Sequence, residues 1–367
     1  MAKLSLNAVL AGITPADKTW EAKAKVRVEA LAVPPWSLGR LSEIGVRLCG
    51  MQRTLSPDVS KKLVITCGAD EGVADEGVSA FPQQVTQEML ANIAAGGASI
   101  NVLAGAAGAD VRLVDLGVKG DFPKLIQRGV LIDRKIAYGS KNMRKGPAMT
   151  REQAVAALEA GINEAGQAIA TEGVKLLATG DLGIGNTTPS AAILAVIGGF
   201  PVADATGRGT GLDDPGLQNK IRVIEDAIAL NRPDAGDGLD VLAKVGGLDI
   251  GGIAGTILGA AYHRTPVLVD GFISTAGALI AKALCPAAAD YMIAAHKSQE
   301  PGHTLMWQTL GIRPLLDLDM RLGEGTGAAV AMHLVECAAR SMTDILTFAE
   351  AADRKSTRLN SSHGRRS

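Results

Sequence analysis

Two glycine-rich turns, each holding a single carboxylate, limit the folds open to this chain more than any other feature. One is 180–188, Gly-Asp-Leu-Gly-Ile-Gly-Asn-Thr-Thr, and the other is 323–327, Gly-Glu-Gly-Thr-Gly. The first turn follows the apolar run 174–178 and precedes a helical segment that begins near Pro189. Parallel α/β proteins build phosphate sites from this order of strand, glycine turn and helix N-terminus. The two turns together indicate an enzyme that acts on a phosphorylated small molecule.

Short apolar runs alternate with segments of helical periodicity along the chain, which predicts an α/β fold with a parallel sheet flanked by helices. The strand-like runs are 62–67, 99–103, 111–115, 174–178, 266–270 and 291–295. The helical segments are 20–31, 37–51, 82–95, 151–170, 189–197, 215–230, 249–261 and 326–349. Right-handed crossovers would place ligand-binding loops at the carboxyl ends of the strands. Because 367 residues exceed one typical domain, we expect a large α/β domain with a smaller satellite.

The composition argues against a nucleic-acid or membrane partner. The net charge is -1 and 3% of the residues are aromatic. The chain therefore has neither the basic surface nor the stacking rings that nucleic acids need. The uncharged stretch 182–203 contains Pro189, Pro201 and several glycines, which argues against a membrane span. No basic segment followed by an apolar core is visible near the N-terminus, so we expect a cytoplasmic protein.

The cysteines lie far apart and form no CxxC pair; they are Cys49, Cys67, Cys285 and Cys337. Because Cys67 ends an apolar strand-like run, we expect buried free thiols in a reducing compartment. A zinc site from such distant cysteines is less favoured. The histidines His263, His296 and His303 also lack HExxH-type spacing, so we expect no metal.

The chain changes character at its C-terminal end, from residue 353 to residue 367. This stretch is polar, basic and without periodicity, as in Arg-Lys-Ser-Thr-Arg at 354–358. We expect a disordered or non-native tail and exclude it from functional reasoning.

Glu324 is the lone carboxylate of the second turn, and its local sequence leaves two interpretations open. A carboxylate between glycines can act as a general base once a ligand covers it. The same residue can be an acidic group at the N-terminus of a helix from Thr326, which it would stabilise by about 0.3–1 kcal/mol.

The first turn also leaves two interpretations open. Its glycines, with Asn186 and Thr187, can donate N–H and O–H groups to a phosphate or a ribose next to Asp181. A glycine turn is equally common as a tight connection between a strand and a helix. The string matches neither the Walker pattern nor a GxGxxG fingerprint in its proper context, which disfavours a P-loop and a dinucleotide site.

Two other segments carry candidate ligand contacts. Arg208 lies among glycines in the loop 206–214, where it can hold an anion or belong to a solvated, capped loop. Phe81 and Gln83 lie at a predicted helix start, where they can line the pocket of a flat aromatic ligand. Ordinary packing and capping would explain Phe81 and Gln83 equally well.

Taken in order along the chain, these strings resemble the nicotinate-nucleotide:dimethylbenzimidazole phosphoribosyltransferase family. The strings that carry the resemblance are 180–188, 207–214 and 321–327, with supporting matches at 81–83, 270–272 and 296–303. A single glycine loop is a weak indication, whereas this many collinear matches, up to Ala349, make the resemblance strong.

The resemblance implies a Rossmann-like large domain at 58–322, a small helical domain from 1–57 and 323–352, and a homodimer. It implies transfer of phosphoribose from nicotinate mononucleotide to 5,6-dimethylbenzimidazole. The products would be nicotinate and α-ribazole 5′-phosphate, used for the lower ligand of cobamides. The pyridinium leaving group departs without protonation, so one base suffices for the benzimidazole proton, and Glu324 matches the family's base. No metal and no further cofactor are implied.

When the family's motifs are matched to this chain, the implied substrate contacts fall on two glycine-containing segments and on the start of one helix. Phosphate and ribose contacts fall on 183–188 and 207–211, and the benzimidazole pocket falls on Phe81 and Gln83. The individual residues are Phe81, Gln83, Asp181, Gly183, Gly185, Asn186, Thr187, Gly207, Arg208 and Gly209.

The chain departs from many members of this family at two positions. Asp181 stands where many have Glu, and Glu71 stands where many have His. We therefore expect the reaction type to hold, while the acceptor stays open. The alternatives are a same-fold phosphoribosyltransferase for another base or a phenolic acceptor, and a non-catalytic nucleotide-binding module. The retained Glu324 disfavours the binding module, which would need no base.

Overall fold

A computed structural model describes residues 3–353 of the chain. The predicted tail at 353–367 lies outside the described residues except for Asp353, so it stays a prediction. The described range contains the following α-helices and strands, with a further helical segment at 348–353. The helices are α1 (Leu6–Gly12), α2 (Lys18–Ala30), α3 (Arg40–Gln52), α4 (Gln84–Ala95), α5 (Ser99–Ala106), α6 (Pro123–Gln127), α7 (Arg151–Ala170), α8 (Thr187–Gly198), α9 (Val202–Ala205), α10 (Asp214–Asn231), α11 (Gly238–Val245), α12 (Leu248–Tyr262), α13 (Phe272–Leu284), α14 (Gly302–Leu310) and α15 (Thr326–Thr343). The strands are β1 (Lys62–Ala69), β2 (Ala109–Gly117), β3 (Ile132–Asp133), β4 (Leu176–Leu182), β5 (Val267–Val269), β6 (Met292–Ala294), β7 (His296–Lys297) and β8 (Leu316–Asp317).

Six of these strands form one sheet in the order β3-β2-β1-β4-β5-β6, and every pair in it is parallel. The central strands β1 and β4 are buried along their whole length, as expected for strands covered by helices on both faces. The strand order reverses between β1 and β4, and open α/β sheets bind ligands in the crevice at such a switch point. The predicted Rossmann-like sheet is confirmed, and the crevice beyond β1 and β4 is where a site is expected.

Small residues allow the helices that cover the sheet to approach each other closely. Helices α7 and α12 form the most extensive helix pair in the described range. A Cβ atom at Gly161 of α7 would overlap the backbone carbonyl of Gly252 in α12, and one at Gly255 would overlap the carbonyl of Leu158. Side chains at these glycines would force the two backbones apart.

One predicted strand, 99–103, is wrong, because these residues lie in helix α5. The side chain of Asn101 accepts the N–H of Ala98 at 3.0 Å, which starts the helix. Ile100 and Ala104, one helical turn apart, are both buried, and α5 packs against β2. So short an apolar run does not distinguish a strand from the buried face of a helix.

The stretch Gln84–Ala106 is 23 residues long with a mean hydropathy of 1.4, enough by length and composition to cross a membrane. It consists of two helices, α4 and α5, and the chain turns between them at Gly96, which has φ of +82°. Helix α4 contacts β1, and α5 contacts β2. The stretch therefore covers the sheet as two short helices and forms no continuous span.

The chain divides into two compact units. The larger consists of the residues up to Thr14 together with Lys61–Met332, and it contains all eight strands. The smaller consists of Pro15–Ser60 together with the residues from His333 onward, and its core includes Ala24, Val28, Val46, Cys49 and Met342. The predicted final helix, 326–349, is interrupted after Thr343: Thr347 forms an antiparallel bridge with Leu31, and helical structure resumes at Phe348.

The cysteines are free thiols, and the prediction of burial holds for three of them. Cys49, Cys67 and Cys285 are buried, and burial raises the pKa of the Cys49 thiol to about 12. The prediction is wrong for Cys337, which is partly exposed on α15 with its Sγ atom 3.6 Å from His333 Nε2.

Candidate active site

A cavity of about 250 Å³ opens at the carboxyl edge of the sheet, and we call it the inner cavity. It is lined by Phe81, Val85, Met89, 181–184, Asn186, Thr187, Gly209, Thr210, 271–273, His296, Ser298, Glu300 and 321–324. A wider space of about 840 Å³ adjoins it, and we call this the outer cleft. The outer cleft is lined by Phe81, 206–211, Leu217, 299–301, Arg321 and Leu322. All of these residues belong to the larger unit, and the inner cavity lies next to the end of β4, at the predicted crevice.

Glu324 lies in the wall of the inner cavity in a strained backbone conformation. Its φ is +63°, between Gly323 at +93° and Gly325 at +98°, and non-glycine residues rarely adopt this region. Its side chain is only 5% exposed, and Oε2 accepts the N–H of Ile100 at 3.3 Å. Burial raises the pKa of Glu324, and the charge of Asp270 raises it further against the effect of that hydrogen bond. The turn thus presents a carboxyl group whose proton affinity suits a general base.

Asp270 holds the turn on which Glu324 sits. This fully buried residue follows β5, and its oxygens accept the N–H of Gly325 at 3.1 Å and that of Ala328 at 2.7 Å. Both N–H groups belong to the start of α15, where an anion is favoured by the helix dipole. His296 Nε2 lies 3.6 Å from Asp270 Oδ1. The carboxylate therefore fixes the backbone that follows Glu324.

Asp181, at the end of β4, lies beneath the same turn. It is 6% exposed, its Oδ2 atom accepts from Asn186 Nδ2 at 3.2 Å, and Oδ1 has no donor within residues 3–353. Burial raises the pKa of Asp181 well above its ordinary value, and the charges of Asp270 and Asp249 raise it further. The two glycine turns are thus stacked, with one carboxyl group from each facing the inner cavity.

A buried lysine supports the N-terminus of α8. Lys220 is fully buried, and its Nζ atom donates to Thr187 Oγ1 at 2.7 Å and to the Gly207 carbonyl at 3.2 Å. The N–H of Gly209 donates to Glu300 Oε1 at 2.9 Å. Burial lowers the pKa of Lys220 to about 8. A cation and a helix N-terminus therefore meet beside the loop between the inner cavity and the outer cleft, a combination that suits an anion.

The structure brings most of the predicted site residues together. The inner cavity is lined by Phe81, Asp181, Gly183, Asn186, Thr187, Gly209 and Glu324, and the outer cleft by Gly207 and Arg208 with Phe81 and Gly209. Arg208 donates to the Leu212 carbonyl at 2.8 Å and pairs with Asp214.

Gln83, Gly185 and Glu71 line neither space. The amide of Gln83 is held within the protein, since Nε2 donates to the Glu71 carbonyl at 2.5 Å and Oε1 accepts from Lys119 Nζ at 2.6 Å. Gly185, with φ of +94°, turns the chain towards α8. Glu71 is 1% exposed and lies behind the glycine turn.

Sequence reasoning missed three buried residues of this region: Asp249, Asp270 and Lys220. Asp270 carries a usable signal, because it ends the strand-like run 266–270 and would lie at the carboxyl edge of a parallel sheet. Asp249 begins a predicted helix and looks like an ordinary acidic first-turn residue. Lys220 looks like one of many charged residues on a helix, so no local pattern marks it.

A Rossmann-like sheet with a buried carboxylate, a glycine turn and a buried lysine beside its switch point defines a class: α/β proteins built to bind a phosphorylated ligand. The family model described as "Phosphoribosyltransferase" matches residues 13–352, and the chain belongs to that family. The resemblance predicted from the sequence is thereby confirmed.

Curated relatives and solved structures agree with this assignment. A relative from Syntrophotalea carbinolica, named nicotinate-nucleotide–dimethylbenzimidazole phosphoribosyltransferase, is 54% identical over 347 residues, which cover 95% of this chain and 98% of the relative. A relative of the same name from Geobacter sulfurreducens is 54% identical over 346 residues, covering 94% and 97%. The crystal structure of CobT from Thermus thermophilus matches with a TM-score of 0.87 and 44% identity, covering 91% of this chain and 98% of that one.

Proposed function

We propose that this chain transfers phosphoribose from nicotinate mononucleotide to 5,6-dimethylbenzimidazole, yielding nicotinate and α-ribazole 5′-phosphate for the lower ligand of cobamides. The names of the relatives support this reaction. The observation that carries it is Glu324, a buried carboxyl group held in a left-handed turn at the wall of the inner cavity. The proposal includes a homodimer, as the family resemblance implies, and a cytoplasmic location.

The chemistry requires one base and no acid. The bond between the pyridinium nitrogen and C1′ breaks, and its electron pair neutralises the departing ring. A benzimidazole nitrogen bonds to C1′ from the opposite face, which inverts this carbon and gives the α product. The N–H proton of the other benzimidazole nitrogen passes to Glu324, whose pKa is raised by burial.

The walls of the two spaces suit the two ends of the substrate. Phe81, Met89 and Leu322 offer apolar surface to a flat ring in the inner cavity. Lys220 and the N-terminus of α8 offer positive charge to the phosphate near the loop at Gly207.

The test is chromatography after mixing the protein with nicotinate mononucleotide and dimethylbenzimidazole. We expect nicotinate release together with a peak of α-ribazole 5′-phosphate. If nicotinate is released only when another base or a phenol from a panel of acceptors is added, the proposed acceptor changes to that compound. A folded protein that binds the nucleotide and releases no nicotinate with any acceptor would overturn the proposed activity in favour of a binding module.

A further inference from the structure

Two carboxyl groups meet in the interior behind the glycine turn, outside both the inner cavity and the outer cleft. Glu71, just after β1, is 1% exposed, and Asp249, in the first turn of α12, is fully buried. A Cβ atom at Gly247 would overlap Glu71 Oε1 and lie 2.6 Å from Asp249 Oδ1, so the two carboxyl groups meet beside Gly247. Two ionised carboxylates can only accept, so this contact requires a proton on one of them.

The surrounding hydrogen bonds place that proton on Glu71. Ser140 Oγ accepts the N–H of Gly72 at 3.1 Å, so its own hydrogen points to Glu71 Oε2, 2.5 Å away. Glu71 Oε1 receives no N–H or O–H group from the described part of the chain. Asp249 Oδ1 accepts the N–H of Ile250 at 2.8 Å. The remaining arrangement is a protonated Glu71 that donates to an ionised Asp249.

The pair is connected to the inner cavity through one amide group. Asn186 Nδ2 lies 3.2 Å from Asp249 Oδ2 and 3.2 Å from Asp181 Oδ2, so its two hydrogens serve one carboxylate each. Asn186 is the residue immediately before α8, and Asp181 lines the inner cavity. The orientation of Asp181 thus depends on the position of Asp249.

We propose that Glu71 and Asp249 share one proton, and that this proton positions Asn186 and, through it, Asp181 for phosphoribosyl transfer. The proposal rests on the proposed function. Glu71 and Asp249 touch no substrate and act as positioning residues. Without the proton, two adjacent carboxylates would repel each other and Asp249 would leave the Asn186 amide.

The charges that face the pair from the neighbouring elements are acidic as well. Asp70, just after β1, acts on Glu71, and Asp181 of β4 lies near Asp249. The thiol of Cys67 in β1 also lies near Asp249, but burial raises its pKa and it stays uncharged. Burial first, and then Asp249, raise the pKa of Glu71 well above its ordinary value. Because none of these neighbours is a cation, loss of the proton would leave the repulsion uncompensated.

The test compares Glu71→Gln with Glu71→Ala. The glutamine amide donates to Asp249 at every pH, whereas alanine removes the donor. We expect Glu71→Ala to lower kcat by about tenfold or more at neutral pH through misplacement of Asp181, and Glu71→Gln to recover most of that loss. We also expect the alkaline fall in wild-type kcat that comes from this pair to be absent in Glu71→Gln.

Thermal unfolding without substrate tests the proton separately from the activity. A carboxyl group whose pKa is raised by folding stabilises the folded protein at low pH. This contribution to the stability is lost as the pH rises through the folded-state pKa. The midpoint of wild-type unfolding should therefore fall relative to that of Glu71→Gln as the pH rises. Equal pH dependence in the two proteins would overturn the shared proton. Unequal pH dependence of unfolding with no difference in kcat between Glu71→Gln and Glu71→Ala would overturn the positioning role. Absence of nicotinate release from the wild type would overturn the proposed function alone.

Discussion

Three carboxyl groups that water scarcely reaches define the site at the scale of single residues. Glu324, Asp270 and Asp181 are each at most 6% exposed. Burial is the first cause that raises the pKa of all three. Only Glu324 combines this raised pKa with a strained turn at the cavity wall, which is why it is the base in the proposed reaction.

We expect Glu324→Gln to lower kcat by about 10²–10⁴-fold, the range that a general base contributes, and to leave nucleotide binding largely intact. The glutamine keeps the size of the side chain and removes its ability to accept a proton. Single-turnover release of nicotinate and calorimetric binding of nicotinate mononucleotide measure the two effects. Retention of full activity would show that another group takes the proton.

Asp270→Asn should destabilise the turn that carries Glu324 and also change the pKa of Glu324. One of the two N–H groups of α15 would face an amide NH₂ group, at a cost of about 1–3 kcal/mol. Loss of the Asp270 charge should lower the pKa of Glu324, so the acidic limb of kcat/KM moves to lower pH. Asp317→Asn, at an exposed carboxylate that pairs with Lys297, is the control. An unchanged acidic limb in Asp270→Asn would contradict the role of the charge.

Lys220→Met should separate binding from stability. We expect KM for nicotinate mononucleotide to rise by about tenfold or more, because the buried positive charge behind Thr187 and Gly207, next to the proposed phosphate position, is lost. In the wild type this affinity should fall above pH 8, where Lys220 loses its proton. Because folding lowers the pKa of Lys220, the buried charge destabilises the protein below that pH. The variant should therefore unfold at a higher temperature at pH 7, and an unchanged KM would refute the role of the Lys220 charge in phosphate binding.

The two glycine turns depend on each other at the scale of elements. A Cβ atom at Gly180, in β4, would overlap the backbone carbonyl of Glu324 and approach Thr66 Oγ1 to 2.8 Å. Thr66 also donates to that carbonyl at 3.0 Å, so β1, β4 and the turn of Glu324 meet at one point. Backbone contacts of this kind leave the turn no room to shift.

Gly180→Ala should therefore destabilise the protein by about 1–3 kcal/mol or more and reduce activity through displacement of Glu324. Gly105→Ala in α5 is the matched control, because a Cβ atom there meets nothing within 4 Å. The control should stabilise by about 0.5–1 kcal/mol, since alanine is the better helix former. Urea unfolding measures both changes, and equal stabilities of the two variants would contradict the interlocked turns.

The sequence predicted secondary structure correctly where the hydrophobic periodicity extended over many residues, and wrongly at one short apolar run. Helix α7 has the predicted bounds, 151–170, because its capping box and twenty-residue pattern are local. The run 99–103 is wrong because the Asn101 side chain and burial against β2 decide for a helix. The capping box and the periodicity of α7 can be read from neighbouring residues, whereas the burial of α5 against β2 depends on the tertiary fold.

The buried acids also shape the stability of the whole molecule. Glu71, Asp181, Asp249, Asp270 and Glu324 all have pKa values raised by burial. The folded state therefore binds more protons than the unfolded chain above about pH 4. We expect their contribution to the free energy of unfolding to fall as the pH rises through these raised values. Urea titrations between pH 5 and pH 8 measure this slope. Because buried groups are poorly screened, 1 M salt should leave it nearly unchanged, and a slope abolished by salt would point to surface charges.

The candidate site was predictable only in part. The glycine turns with Glu324, Asp181 and Asn186 were visible because turn chemistry is written in adjacent residues. The partners of those residues come from distant parts of the chain: Asp270 binds Gly325, Lys220 binds Thr187, and Asp249 binds Asn186. Gln83 shows the opposite case, since Lys119 and the Glu71 carbonyl hold its amide within the protein. These pairings exist only once the sheet has formed.

The acidic wall of the inner cavity also bears on how the leaving group is released. Bound in the nucleotide, the nicotinate ring is a zwitterion without net charge; released, it carries one negative charge. Glu324 and Asp181 line the cavity, and Asp270 lies directly behind the turn that carries Glu324. Like charges in a space of low dielectric constant repel strongly. In the proposed reaction the nicotinate ring therefore enters without net charge and leaves as an anion, which is repelled by those of the buried carboxyl groups that remain ionised after Glu324 has taken the proton. The cavity in which the proposed bond cleavage takes place thus favours release of nicotinate.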